Sequence, residues 1–367
     1  MANIISFIKK EAVLCISWVL AILSMFLVVP DAQYLAYIDV RTLSLLFCLM
    51  AVMVGFSKAG LFTFCASRLL KMAKGTKSVV LILVLLCFFF STVITNDVAL
   101  ITFVPFAITV LKLAGKKKLI PFTVILQTVA ANMGSCLTPI GNPQNIYIYS
   151  VSGLSFADFL RLLLPYSLIC LLVLIGLILF IKKEDVKTVS EDIKAPNTKS
   201  TIFFLVLFIT SLLAVVGIIN HIVCLAVVIA ALLIFDIKII PKVDYSLLLT
   251  FVGFFIFVGN MGRVPFINNM IETLINGKEV LFSALISQVI SNVPAALLLT
   301  GFTDNMEALL IGVNIGGLGT LIASMASLIS YKYVATELLD SKGKYLLYFS
   351  VLNFALLGLM ILISFIL

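Results

Sequence analysis

Two short polar stretches interrupt long apolar runs: Thr95-Asn96-Asp97 at the head of "TNDVALITFVPF", and Ser291-Asn292 at the head of "SNVPAALLL". Amide and hydroxyl oxygens suit small hard cations, which take oxygen ligands. The same residue types also start helices, and a helix N-terminus favours anions. Two further stretches share this character. "NMGSCLTPIGNPQN" (132–145) places Asn132, Gly134, Thr138, Asn142 and Asn145 around Pro139, Gly141 and Pro143. "NIGGLGT" (314–320) places Asn314 and Thr320 around Gly316, Gly317 and Gly319. Proline and clustered glycine unwind a helix, and unwound backbone at membrane depth is tolerated only against protein or a water-filled cavity. Four half-helix N-termini converging on one cavity could hold an anion and a coupling cation together. Sodium is the candidate metal, through Asn96, Asp97, Asn132, Asn292 and Asn314. Glycine-packed helix crossings and simple capping are the competing structural explanations.

Asp97 is a carboxylate inside an apolar segment, which by default marks function. Three roles stay open for it: a cation ligand, a proton carrier, or a cap at a helix N-terminus. Asn142 followed by Pro143 reads as an N-cap with proline at the first helical position. Thr95 or Asn96, and Ser291 or Asn292, are expected to cap the second arm of each hairpin, and Thr320 to cap the restart after the second break. Gln127 and Gln144 are secondary contact candidates. Tyr147 and Tyr149 line the cavity or form an interfacial belt; the sequence does not separate these.

The elements that must position these residues are membrane helices. The chain has 367 residues, 62% hydrophobic and 11% charged, against about 45–50% and about 25% in soluble domains. Crossing candidates of about 20 residues recur at 12–29, 41–57, 119–150, 160–181, 201–218, 221–237, 245–261, 307–330 and 345–367, the third and eighth interrupted. Segments 60–74 and 264–276 read as interfacial helices, and 78–113 and 279–302 as re-entrant hairpins turning at Asn. The fold class is an all-α polytopic membrane protein with about nine full spans in the cell membrane. The net charge of +8 does not indicate nucleic acid, because the basic residues sit in short loops. With the N-terminus cytoplasmic, 21 of the 25 basic residues fall inside, as the positive-inside rule requires. The opening "MANIISFIKKEAVLCISW" has no small-residue cleavage site and reads as a cytoplasmic N-terminus. The seven cysteines have no C-x-x-C or metal spacing and read as buried free thiols. No nucleophile–base pair, Walker motif or zinc ligand set is present; an enzyme, and any cofactor other than a coupling sodium ion or proton, are not expected.

Self-similarity organises these elements. "SLLFCLMAVMVGFSKAG" (44–60) aligns with "SLLLTFVGFFIFVGNMG" (246–262), Gly75 with Gly277, Asn96 with Asn292, and 132–145 with 314–327. Four crossings lie between the two copies of the first span, so the copies run in opposite directions and the repeats are inverted. That plan recurs in transporters with midplane binding sites. The N-terminal half covers 1–181, a polar linker 182–200, and the C-terminal half 201–367.

Paired hairpins with Asn tips, each followed by an interrupted helix, resemble the ion transporter superfamily. This group includes the divalent anion/sodium symporters, citrate transporters, arsenite permeases and sodium/proton antiporters. The resemblance covers the chain from about residue 40. It implies an elevator mechanism, with a transport part sliding against a scaffold through which two copies dimerise. In carboxylate symporters each tip reads Ser-Asn-Thr; here the third position is Asp97 or Val293. The carboxylate leans towards the arsenite and antiporter side, and the chain is shorter than the symporters by two N-terminal spans. The expected function is ion-coupled transport of a small anion, a carboxylate or oxyanion. Arsenite efflux or sodium/proton exchange is the alternative, and a channel or non-transporting scaffold is the remaining one.

Overall fold

Helices begin where the sequence supplies caps. Asp39, Ser155, Asn197, Asn220, Asp244 and Asn305 each accept a hydrogen bond from a first-turn backbone N–H, satisfying donors that no intrahelical carbonyl reaches. A computed structural model describes residues 11–185, 195–337 and 342–367. The first ten residues of the expected cytoplasmic N-terminus and positions 186–194 of the expected linker lie outside these.

In chain order the α-helices are α1 (Ala12–Met25), α2 (Gln33–Tyr37), α3 (Val40–Ala59), α4 (Leu61–Leu70), α5 (Thr76–Ser91), α6 (Asn96–Leu113), α7 (Ile120–Ser135), α8 (Pro143–Ser152) and α9 (Phe156–Leu179). They continue with α10 (Thr198–Val215), α11 (His221–Phe235), α12 (Tyr245–Gly262), α13 (Pro265–Ile275), α14 (Glu279–Ile290), α15 (Asn292–Leu299), α16 (Met306–Ile315), α17 (Met325–Glu337) and α18 (Lys342–Ser364). Among the described residues the fold is all-helical, with one isolated bridge between Gly75 and Asp185.

Among the described residues, six helices are long and apolar enough to cross a membrane: α3, α6, α9, α10, α12 and α18. α1 and α11 have 14 and 15 residues, shorter than the spans expected at 12–29 and 221–237. One arm expected to be re-entrant, α6, is an 18-residue helix and belongs to the six. Its partner α5 packs against it, joined by the turn at Thr92–Thr95, so the hairpin shape stands while one arm reaches full crossing length. The second hairpin is shorter, with arms of 12 and 8 residues. The two interruptions fall between α7 and α8 and between α16 and α17.

Packing divides the helices into two groups. α5 and α17 each pack on α6 and α7, α14, α15 and α16 contact one another closely, and α9 and α18 lean on α7 and α16. α1 packs on α12, and α10 and α11 pack on α3. The groups meet where α12 touches α15 and α3 touches α8. Tyr147 belongs to this boundary. Its ring packs on Phe251 and Phe255, and its hydroxyl bonds Thr300 at 3.0 Å. Tyr149 packs on Phe159. Arg263 pairs with Asp31 at 2.8 Å, which holds that carboxyl below its ordinary range. All seven cysteines are free.

Candidate functional site

The hairpin tips are joined to the breaks by main-chain bonds. The Asn96 N–H donates to the Gly141 carbonyl at 3.2 Å, and the Asn292 N–H to the Ala323 carbonyl at 2.9 Å. Gly141 and Ala323 occupy matching positions when 132–145 is aligned with 314–327. Three further pairs follow the same register. The Thr138 hydroxyl donates to the Thr92 carbonyl, and the Thr320 hydroxyl to the Gln288 carbonyl. A Cβ on Gly134 would lie 2.2 Å from the Phe88 carbonyl oxygen and 2.5 Å from Ser91 Oγ; one on Gly316 would lie 2.8 Å from Ser287 Oγ and 2.9 Å from the Ala284 Cα. Gly134, Gly316, Thr138 and Thr320 therefore fasten each break to the first arm of its hairpin.

Side chains then join the two halves. Asn132 is the junction. Its Oδ1 accepts from Asn96 Nδ2 and from Ser324 Oγ, both at 3.0 Å, and its Nδ2 donates to the Gly317 carbonyl at 3.2 Å. Asn314 Nδ2 donates to Asn145 Oδ1 at 2.8 Å, and Asn145 Nδ2 in turn donates to the Ser135 and Thr138 carbonyls. Asn292 Nδ2 stands 3.0 Å from where a Gly317 Cβ would be. Asn96, Asn132, Asn142, Asn145, Ser291, Asn292, Asn314 and Ser324 are all buried. An amide in such surroundings costs free energy unless it is bonded. Asn314 Oδ1 has no partner, although it is the aligned counterpart of the doubly bonded Asn132 Oδ1. Neither polar atom of buried Gln144 has a partner.

Several expectations about capping need correction. Thr95 and Ser291 stand at N-cap positions, yet neither makes a side-chain cap bond. Asn142 is the N-cap of α8 with Pro143 next, but its amide donates to Ser135 Oγ at 2.6 Å. Thr320 does not cap the restart, because α17 begins five residues later at Met325 and the Thr320 hydroxyl is engaged with Gln288. Gln127 donates to the Leu83 and Phe103 carbonyls, tying the two arms of the first hairpin together. Asp97 is half-buried; its N–H donates to Asn96 Oδ1 at 2.8 Å, and its carboxylate has no partner among the described residues.

Sequence reading missed Gln288. Its Nε2 donates to the Gly316 and Leu318 carbonyls at 2.9 and 3.0 Å, and its Oε1 accepts from the Thr320 N–H at 2.9 Å. The one amide in that hairpin arm was the available signal. Ser324 was missed as well, although it aligns with Asn142.

A multi-helix, apolar fold with a buried polar junction at two helix breaks is that of a polytopic membrane protein. The chain matches the citrate transporter family CitMHS over residues 4–309 and belongs to that family. It is 36% identical over 264 residues to an uncharacterized transporter of Methanocaldococcus jannaschii, covering 72% of this chain and 73% of the relative. It is 32% identical over 320 residues to the inner membrane protein YbiR of Escherichia coli, covering 84% of each. A rice silicon efflux transporter matches at 35% over 145 residues, which is 39% of this chain and 29% of that protein. The protein is a multi-pass membrane transporter.

Proposed function

We propose that the chain is an ion-coupled secondary transporter of a small anion, a carboxylate or oxyanion, working by an elevator movement. The observation that carries this reading is the Asn132 junction, where side chains from both hairpin–break units meet, together with the buried, unpartnered Asn314 Oδ1 of the second unit. Carbonyl oxygens freed at the breaks suit sodium, and helix N-termini suit the anion. Thr95, Asn96, Asp97, Asn292 and Asn314 are the ligands we assign, with sodium or a proton as the coupling ion. The matched contacts of the two units support inverted repeats within halves 1–181 and 201–367, and the lysine distribution supports nine crossings with a cytoplasmic N-terminus. In this reading α5–α9 and α14–α18 slide against α1, α3 and α10–α12, and two copies pair through the latter group.

Uptake by purified protein in proteoliposomes, across a panel of anions with and without a sodium or proton gradient, tests the proposal. Saturable, gradient-dependent flux that Asn96→Ala and Asn292→Ala abolish is the expected result. Non-saturable flux indifferent to both the gradient and these substitutions means a channel.

A second reading has its own observation. Asp97 is an unpartnered carboxylate in one unit only, and the relatives include a putative transporter of Dictyostelium named arsB and the rice silicon efflux transporter. This favours arsenite efflux or sodium/proton exchange on the same fold. Deleting the protein then raises sensitivity to arsenite or sodium; unchanged tolerance to both removes this reading.

A further inference from the structure

On the outer face of α7, away from the Asn132 junction, a groove of about 810 Å³ runs between α7, α9 and α18. Its walls are apolar: Phe122 and Ile125 from α7, Leu177 from α9, and Tyr348, Val351 and Ala355 from α18. At one end stand Lys117, Lys118 and Lys344. None of the three has a hydrogen-bond or ion-pair partner among the described residues, whereas the nearby Lys112 and Lys116 are paired with Glu337 and Glu184. No carboxylate lines the groove. We propose that this groove binds one anionic phospholipid, with its headgroup on the three lysines and an acyl chain along the α7–α18 cleft.

Three observations select this occupant. The charge is all positive and gathered at one end, as lipid-headgroup pockets between membrane helices require. The rest of the groove is hydrocarbon, which a soluble anion does not need. The length also fits. From Lys344 to Ala355 α18 rises ~16 Å at 1.5 Å per residue, and half of a 30 Å hydrocarbon core is ~15 Å. The groove is one leaflet deep. Tyr348 is exposed at the lysine end of α18, the depth at which aromatic side chains meet headgroups. A seated lipid would brace α7, the helix that carries Asn132. The proposal rests on the membrane location of the chain and does not depend on which solute it moves.

The test uses the full chain in phosphatidylcholine nanodiscs with increasing phosphatidylglycerol, read as the thermal unfolding midpoint and by native mass spectrometry for retained lipid. The midpoint is expected to rise by several degrees and saturate, with one phosphatidylglycerol retained per chain. Lys117→Gln/Lys118→Gln/Lys344→Gln should lose most of that rise. A control of equal charge change, Lys238→Gln/Lys242→Gln/Lys332→Gln, should keep it. Ala355→Trp fills the apolar cleft and leaves every lysine in place; it too should weaken the rise, and it decides the matter if the triple variant does not fold. The proposal is overturned if the control triple loses the rise equally, if Ala355→Trp keeps it in full, or if glycerol 3-phosphate without acyl chains reproduces it.

Discussion

The two breaks share a main-chain plan and differ in how their side chains complete it. At the first, Asn132 Oδ1 accepts two hydrogen bonds; at the second, the aligned Asn314 Oδ1 accepts none. The first tip is relaxed, with Thr95 at φ −62°, while Ser291 at the second has φ +77°, the only positive φ outside glycine among the described residues. The first break is fastened by its own asparagines, the second by Gln288 reaching across from the hairpin arm. The first unit is relaxed at its tip and carries a free carboxylate at Asp97 and the unpartnered amide of Gln144. Its counterpart is strained and carries a free amide oxygen. Backbone strain collects at functional sites, so the second unit, with Ser291 in the left-handed region, is the better candidate for the part that responds to ligand.

The largest test of this contrast is steric. Gly134→Ala drives a Cβ to 2.2 Å from the Phe88 carbonyl oxygen, whereas the nearest atoms to a Cβ on Gly316 are the Gly312 carbonyl oxygen at 2.7 Å and Ser287 Oγ at 2.8 Å. Gly134→Ala should cost about 3 kcal/mol or more and Gly316→Ala less, within the range known for overpacking; thermal denaturation in detergent measures both. Equal losses would mean that the two helix crossings are equally tight.

Asn132→Ala removes the junction and leaves Asn96 and Ser324 without their acceptor, so it should cost about 2–4 kcal/mol and abolish transport. Asn314→Ala should abolish transport with a smaller stability loss. If the stability order reverses, the unpartnered Asn314 oxygen is not the difference between the units. Gln288→Ala should cost about 2–3 kcal/mol, whereas Thr92→Ala, at the matching position, where the exposed hydroxyl bonds only the Phe89 carbonyl one turn back, should stay within about 0.5 kcal/mol.

Ser291→Gly tests the strain itself. Relief of the left-handed conformation should stabilise the protein by about 1 kcal/mol, against about the same loss for Thr95→Gly. A destabilised Ser291→Gly would show that the hydroxyl contributes more than the backbone costs. The smallest effect lies outside both units, at the exposed Asp31–Arg263 pair. The Asp31 carboxyl sits below its ordinary value of 3.8. Its contribution is therefore present above that value and lost as pH falls through the lower folded one. Arg263→Gln should flatten this part of the stability–pH curve only slightly.

Much of this arrangement was legible in the sequence, because Asn, Pro and Gly leave marks that apolar helices cannot absorb. Pro143 after Asn142 located the start of α8 to the residue, and the aligned asparagines brought the tips and breaks together. Roles were harder to read than positions. Thr320 looked like a cap, but a hydroxyl in an unwound segment bonds whatever carbonyl packing brings near, and that was Gln288. Gly134 and Gly316 looked like part of the break; each sits within a helix end that needs close approach to another helix. Length was hard to read as well, since hydropathy does not separate an 18-residue hairpin arm such as α6 from a span. The unequal states of Asn132 and Asn314 depend on three-dimensional register, which one-dimensional matching treats as identical.

The tip-to-break bonds, Asn96 N–H to Gly141 and Asn292 N–H to Ala323, use main-chain atoms alone. Any residue except proline can supply them. The latch itself therefore sets no side chain at these positions, although Asn96 is held as well by its bond to Asn132 and Ser291 by its left-handed backbone. On the proposed function, substitutions at 97 and 293, whose side chains stand outside these bonds, would change what is carried while leaving the tips fastened.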